Sequence, residues 1–274
     1  MSRRVTYFNS SFASIPNPTQ IFGANLFEWW DFTDLATQSI TGGLIDSITS
    51  KGTNSGVFAS SGTSRPQSVV GVNSLNVADF DGVNDFMEVA GSTAMYNFLH
   101  NGSLGTVIMI NRIEDLNPDS IFRLLGNYTI LATDVGYALN YDDRSSVLRN
   151  NAIFQTIVRG APPVSVSNLI NNYYPTQQYN IIINKIDADA SPVAERSAYS
   201  LNGGLDVKNN TQIGAPSIAN ATTNLILGCV DGSSLFLKGQ IPEIIILNSH
   251  PTPTQITQLN NYLTNKYGAP FPII

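Results

Sequence analysis

The run Leu235-Phe236-Leu237-Lys238-Gly239-Gln240-Ile241-Pro242-Glu243-Ile244-Ile245-Ile246-Leu247 decides the fold. It is rich in β-branched residues, and turn-forming residues bound it, so it reads as a β-strand. Its end, Ile244–Leu247, is among the longest apolar runs of the chain, far short of the ~18 residues a membrane-spanning helix needs. Thr106-Val107-Ile108-Met109-Ile110-Asn111 is likewise apolar on both faces. Outward from these, Leu26–Phe32, Ser74–Phe80, Phe86–Val89, Ile121–Leu125, Tyr128–Ala132, Gly136–Asn140, Ala152–Val158, Tyr179–Asn184, Ala198–Leu201 and Asn224–Val230 repeat the pattern. Asp81-Gly82-Val83-Asn84-Asp85 is a turn-rich hinge. Asn202-Gly203-Gly204 marks a hairpin, because Asn-Gly adopts positive φ at little cost. Many short strands at this spacing predict an all-β sandwich or barrel.

One helix is legible, over 253–267. Thr252 caps it, Pro253 opens it, and Gln255 completes a capping box. Ile256, Leu259 and Leu263 share a face, Lys266 sits in the last turn, and Gly268 stops the helix. It is expected across an edge or end of the sandwich. Residues 1–24 show no sustained period and read as an N-terminal arm; 25–268 form the sandwich and 269–274 a short tail.

The 274 residues carry 14 Lys+Arg against 20 Asp+Glu. Charged residues are 12% of the chain, half of the roughly 25% usual in soluble domains, so Asn, Ser, Thr and Gly supply the polarity. A net charge of −6 gives no cationic footprint for nucleic acid. Two His and one Cys are too few for a structural zinc site or a disulfide framework. Cys229, in an apolar run, reads as a small buried hydrophobe. A chain of this length buries ~75% of the surface its unfolded form exposes, so one domain needs no staple. No apolar h-region follows Arg3-Arg4, so no secretory signal is read at the start.

Four ordered stretches resemble the concanavalin A-like lectin/glucanase superfamily and its laminin-G-like jelly rolls. They are Leu26-Phe27-Glu28-Trp29-Trp30-Asp31; Arg65-Pro66 with Val77–Phe86; Gly239–Asn248; and Tyr262-Leu263-Thr264-Asn265-Lys266-Tyr267-Gly268. The resemblance implies a two-sheet antiparallel jelly-roll sandwich with one C-terminal helix, and leaves the chemistry open.

Laminarinase-like members carry a Glu-x-Asp-x-x-Glu run, and none is present. Glu28–Asp34 has the wrong spacing, and Glu114-Asp115 and Asp142-Asp143 are adjacent pairs that point to opposite faces. His100 and His250, beside turns, read as solvated. Trp29 and Trp30 alternate, so at most one faces a groove. Asp79, Asp81 and Asp85 have two readings: oxygen ligands for Ca²⁺, or carboxylates that fix turn amides, the second preferred. No other cofactor is expected. The recognition candidates are Asn171, Asn172, Tyr173, Tyr174 and Gln177, whose rings and amides suit glycan or protein contact.

The role these readings favour is a non-enzymatic virion structural or decoration protein of a bacteriophage. It would be made in the host cytoplasm without a signal peptide. Residues 1–24 would anchor it to other virion subunits in an oligomeric assembly, and the sandwich would face cell-surface or mucus glycans. No membrane insertion is expected. A lectin or tail-fibre adhesion module is the alternative, and a divergent glycoside hydrolase the third reading.

Overall fold

A computed structural model describes residues 14–114, 121–129, 134–144, 175–208 and 216–268, and the backbone of 152–159 and 164–170. Its strands are β1 (Leu26–Asp31), β2 (Gln38–Thr41), β3 (Leu44–Thr49), β4 (Val57–Ala59), β5 (Gln67–Val70), β6 (Asn76–Asp81), β7 (Met87–Val89), β8 (Leu104–Ile113), β9 (Ile121–Gly126), β10 (Gly136–Asp142), β11 (Ala152–Arg159), β12 (Val164–Ile170), β13 (Asn180–Asp187), β14 (Ser197–Leu201), β15 (Leu225–Leu227) and β16 (Lys238–Leu247). Two helices join them, α1 (Pro18–Phe22) and α2 (Pro253–Tyr267). Every strand pairing is antiparallel, in the order β12-β11-β10-β9-β15-β7-β4-β3-β5-β6-β16-β8-β13-β14, with β1 on β16 and β2 on β3. The sheet folds over at the single β3–β5 pair, Leu44 opposite Gln67. A front layer (β12 to β3) thus faces a back layer (β5 to β14), one of the two forms the strand spacing predicts and the jelly-roll-type sandwich the resemblance implies.

Alternation decides which side chains meet. Tyr137, Leu139 and Tyr141 of β10, Leu225 and Leu227 of β15, and Met87 and Val89 of β7 point inward from the front. Val107 and Met109 of β8, Ile182 of β13, and Ile244 and Ile246 of β16 meet them from the back. The apolar residues that alternate with these on the back strands, Ile108, Ile110, Ile181, Ile183, Ile245 and Leu247, form a second apolar face. That face requires a cover, and α2 supplies it with Leu259, Leu263 and Tyr267. Full burial of each leucine is worth ~1.5–3 kcal/mol. So α2 lies flat on the back layer, not across an edge or end as expected. A half-exposed edge would not have absorbed three consecutive two-faced strands.

The N-terminal segment holds a short helix. Residues 18–22 are helical. Asn17 caps α1 through the Gln20 amide at 3.1 Å, and Gln20 Oε1 accepts the Asn17 amide at 3.0 Å. Ile21 and Phe22 are buried beside Leu259 and Leu263, and Gln255 Nε2 donates to the Ile21 carbonyl at 3.0 Å. This part of the expected arm therefore packs on its own sandwich. Residues 1–13 and 269–274 lie outside the described residues.

Trp29 and Trp30 point to opposite faces, as alternation requires, and both are buried: Trp30 in the inter-layer core, Trp29 beneath α2. Neither is available to stack on a sugar. Asp31 and Glu243 face each other directly across the β1–β16 ladder. Like charges in that position repel. Lys266 Nζ bridges them, 2.7 Å from Asp31 and 2.9 Å from Glu243, and Lys51 adds a second contact to Asp31 at 2.8 Å. Glu243, fully buried, also accepts from Trp29 Nε1 (2.6 Å), the Tyr262 hydroxyl (3.0 Å) and the Tyr267 hydroxyl (2.6 Å). Burial pushes the Asp31 carboxyl up, but Lys266 and Lys51 outweigh it and hold it below its ordinary value. Burial likewise opposes the Lys266 charge, and Glu243 and Asp31 raise its pKa all the same.

Removal of one partner from such a buried cluster costs ~3–5 kcal/mol. Lys266→Met is expected to lose about that much stability in urea denaturation at neutral pH, and Glu243→Gln in the same chain to restore part of it. A carboxyl with a lowered folded pKa stabilises above its unfolded pKa, and that contribution is lost as pH falls through the folded value. The gap between wild type and Lys266→Met should therefore narrow below about pH 4.

Candidate functional site

Every second residue of the front layer points away from the core. Ala59, Glu88, Ile226, Gly126 and Ala138 form one continuous outer row across β4, β7, β15, β9 and β10. The far end of this row is sealed. Tyr128 packs on Ala138, and Arg123 lies beside it, only 1% exposed. A register shift opposite Leu139/Asn140 brings Arg123 to this face. Its Nε donates to Asn140 Oδ1 at 2.6 Å and its Nη1 to the Tyr128 carbonyl at 3.0 Å, with the guanidinium 4.8 Å from the Tyr128 ring centre. A Cβ on Gly126 would come within 2.5 Å of Nη1, so only glycine leaves room for this side chain. Arg123 is a prop for the Tyr128 turn.

The near end of the row is open. A cleft of about 390 Å³ lies there, within the size range of small-ligand sites. Ser60, Ser61, Ser64, Phe86 and Glu88 line it, with the small Ala59 and Ala90 between them. Local hydrogen bonds hold the walls. Ser60 Oγ donates to the Ser64 carbonyl at 2.9 Å, and the Phe86 amide to the same carbonyl at 3.0 Å. Behind the half-buried Phe86 ring stands Gly232, at φ +77°, where a Cβ would lie 3.2 Å from the ring edge. Asn224 Nδ2 donates to Glu88 Oε1, and the Ser92 amide in turn holds Asn224 Oδ1 at 2.8 Å. The cleft thus offers one aromatic ring, three hydroxyls and one fixed carboxylate. Two other clefts, of about 560 Å³ near Lys185 and Asp206 and about 430 Å³ near Gln38 and Ser47, have no aromatic ring in their lining.

None of the described residues singled out from sequence as site candidates lines this cleft. Asn171, Asn172, Tyr173 and Tyr174 lie outside the described residues. Gln177 is exposed at the end of β8, where its amide donates to the Ile113 carbonyl at 2.9 Å, and it does not line the Phe86 cleft. Asp81 Oδ1 accepts from the amides of Val83 (2.7 Å) and Asn84 (3.2 Å), and Asp85 Oδ2 from the Asp81 amide (2.9 Å). These hydrogen bonds tie Asp81 and Asp85 to the amides of the hinge. Among the described residues no group of three or more His, Cys, Asp or Glu is placed to hold a metal ion. His100 is buried rather than solvated, its Nδ1 3.1 Å from the Ser217 carbonyl. His250 Nε2 lies 2.9 Å from the Ile186 carbonyl. Cys229 is buried as expected, and burial pushes its thiol up to about 12. Glu28, fully buried, accepts from Asn54 Nδ2 (2.5 Å), the Tyr96 hydroxyl (3.0 Å) and the Gly56 amide (3.1 Å).

No family model matches the sequence, and no curated protein does. Solved structures do match the fold. The sialidase of Trypanosoma rangeli, in complex with sialic acid, superposes with a TM-score of 0.53 and 15% identity, over 94% of this chain and 35% of that one. The CBM40 of a Ruminococcus gnavus IT-sialidase gives 0.47 and 14%, over 70% and 96%. NanB sialidase from Streptococcus pneumoniae (K499G mutant) gives 0.45 and 16%, over 66% and 27%. The likeness is one of fold. The chain spans only about a quarter to a third of the sialidases it matches.

The hinge beneath Phe86 has a pH signature. Burial pushes the Asp85 carboxyl up to about 6, although the Asp81 amide hydrogen bond opposes this. A raised carboxyl favours folding when protonated, so its contribution is full below the unfolded value near 4 and is lost as pH rises through about 6. Asp85→Asn keeps an acceptor for the Asp81 amide and removes the charge. The variant is expected to be more stable than wild type at pH 7.5, on the order of 1–3 kcal/mol, and equal to it at pH 4. Thermal melts at the two pH values check this.

Proposed function

We propose that this chain is a non-enzymatic, glycan-binding β-sandwich that uses the Phe86 cleft. The observation that carries the reading is the combination of a half-buried ring with fixed hydroxyl and carboxylate groups on the one open part of the described outer row. A sugar presents an apolar C–H face and a rim of hydroxyls, and the cleft supplies a partner for each. The fold likeness to sialidases and to a carbohydrate-binding module supports the scaffold and not the ligand.

The same lining supports a binding rather than a hydrolytic role. Glycoside hydrolysis generally needs two carboxyls about 5–9.5 Å apart across the bond. Glu88 is the only carboxylate among the residues that line the cleft. Asp31, Glu243 and Glu28, the acids that the resemblance motifs place on β1 and β16, are bound within the protein by the contacts described above.

A virion location belongs to the same proposal. It rests on the charge-poor, Asn- and Ser/Thr-rich composition. Ile21 and Phe22 are already buried in the chain's own fold, so they are not the anchor. Mass spectrometry of purified particles should find the chain.

An array of neutral and acidic glycans probed with the intact chain is expected to show retention. Phe86→Ala should weaken it at least tenfold while the melting temperature stays within a few degrees of wild type. An array blank for every glycan class would sink the proposal.

A further inference from the structure

Given the glycan reading above, on which this step rests, we infer that the Phe86 cleft selects uncharged pyranosides and rejects sialylated and uronate-bearing glycans. The argument is one of charge placement. Glu88 is the only charged side chain in the lining. Asn224 Nδ2 donates to its Oε1, and the ionised carboxylate accepts hydrogen bonds and donates none. Two vicinal sugar hydroxyls match such an acceptor, whereas a ligand carboxylate meets like charge.

Among the described residues, the cations nearest the cleft in chain or space are engaged elsewhere. Arg65 follows Ser64, but its Nη1 is paired with Asp46 at 2.7 Å and its Nε is bonded to the Gly62 carbonyl at 3.0 Å. Arg123 is on the same outer face but sealed beneath Tyr128. Lys238, whose side chain contacts Gly82, belongs to β16 of the other layer and is not part of the lining. The three serines donate and accept, which suits hydroxyl rims of any neutral sugar.

The matched probes are lactose and 3′-sialyllactose, with cellobiose and a glucuronate-bearing disaccharide on the same array. Retention of at least one neutral member about tenfold above its acidic counterpart is expected. Glu88→Gln, which keeps an acceptor for Asn224, should shrink that ratio by relieving the repulsion. Equal or tighter retention of the acidic members overturns the inference and leaves glycan binding standing. A ratio unchanged in Glu88→Gln overturns the role given to this carboxylate. Absence of any retention removes the glycan reading and this inference together.

Discussion

Two carboxylates directly opposite each other, buried between a helix and a sheet, are an arrangement that should not survive alone. Asp31 and Glu243 survive because Lys266 reaches both from the last turn of α2. The ammonium replaces the hydration each acid gave up, and Trp29, Tyr262 and Tyr267 satisfy the remaining lone pairs of Glu243. The cluster works only if β1, β16 and α2 are all in place. It therefore couples the terminal helix to the centre of the back layer, and α1 follows because it packs on α2.

This constraint gives physical content to the motifs that carry the family resemblance. Trp29 and Asp31 come from the first of them, Glu243 from the third, and Tyr262, Lys266 and Tyr267 from the fourth. All six side chains converge on one buried point. Pro242 interrupts β16 at a register shift, where its missing amide costs nothing and its carbonyl accepts from Phe32. Beyond the shift, Glu243 shares the helix-covered face with Ile245. The motifs record how the sandwich is closed, which explains why they are silent on chemistry.

Local signals made α2 legible to the residue, since Thr252, Pro253, Gln255 and Gly268 each act within one turn. Asn17-Pro18-Thr19-Gln20 carries the same cap, proline and box as Thr252-Pro253-Thr254-Gln255. It was readable too, but α1 is a single turn with no period to confirm it. Strands β2, β3, β4, β5 and β12 escaped because they are short or polar, and their pairing is fixed by distant partners. Where the open cleft lies was not readable. The alternation Phe86-Met87-Glu88-Val89 shows that Phe86 and Glu88 share a face, but only the fold reveals that Tyr128 covers that face further along and stops short of them. The stretch from Asn171 to Tyr174 stood out by composition, which says nothing about which surfaces remain open.

The helical layer and the Phe86 cleft sit on opposite sides of the sandwich: α1 and α2 on the outer surface of the back layer, the cleft on the outer surface of the front. The domain consequently has a head and a heel. Pro18, where α1 begins, lies at the heel, and the full thickness of both layers separates it from the cleft. A tether at the heel would leave the head facing outward, with no hinge required to expose it.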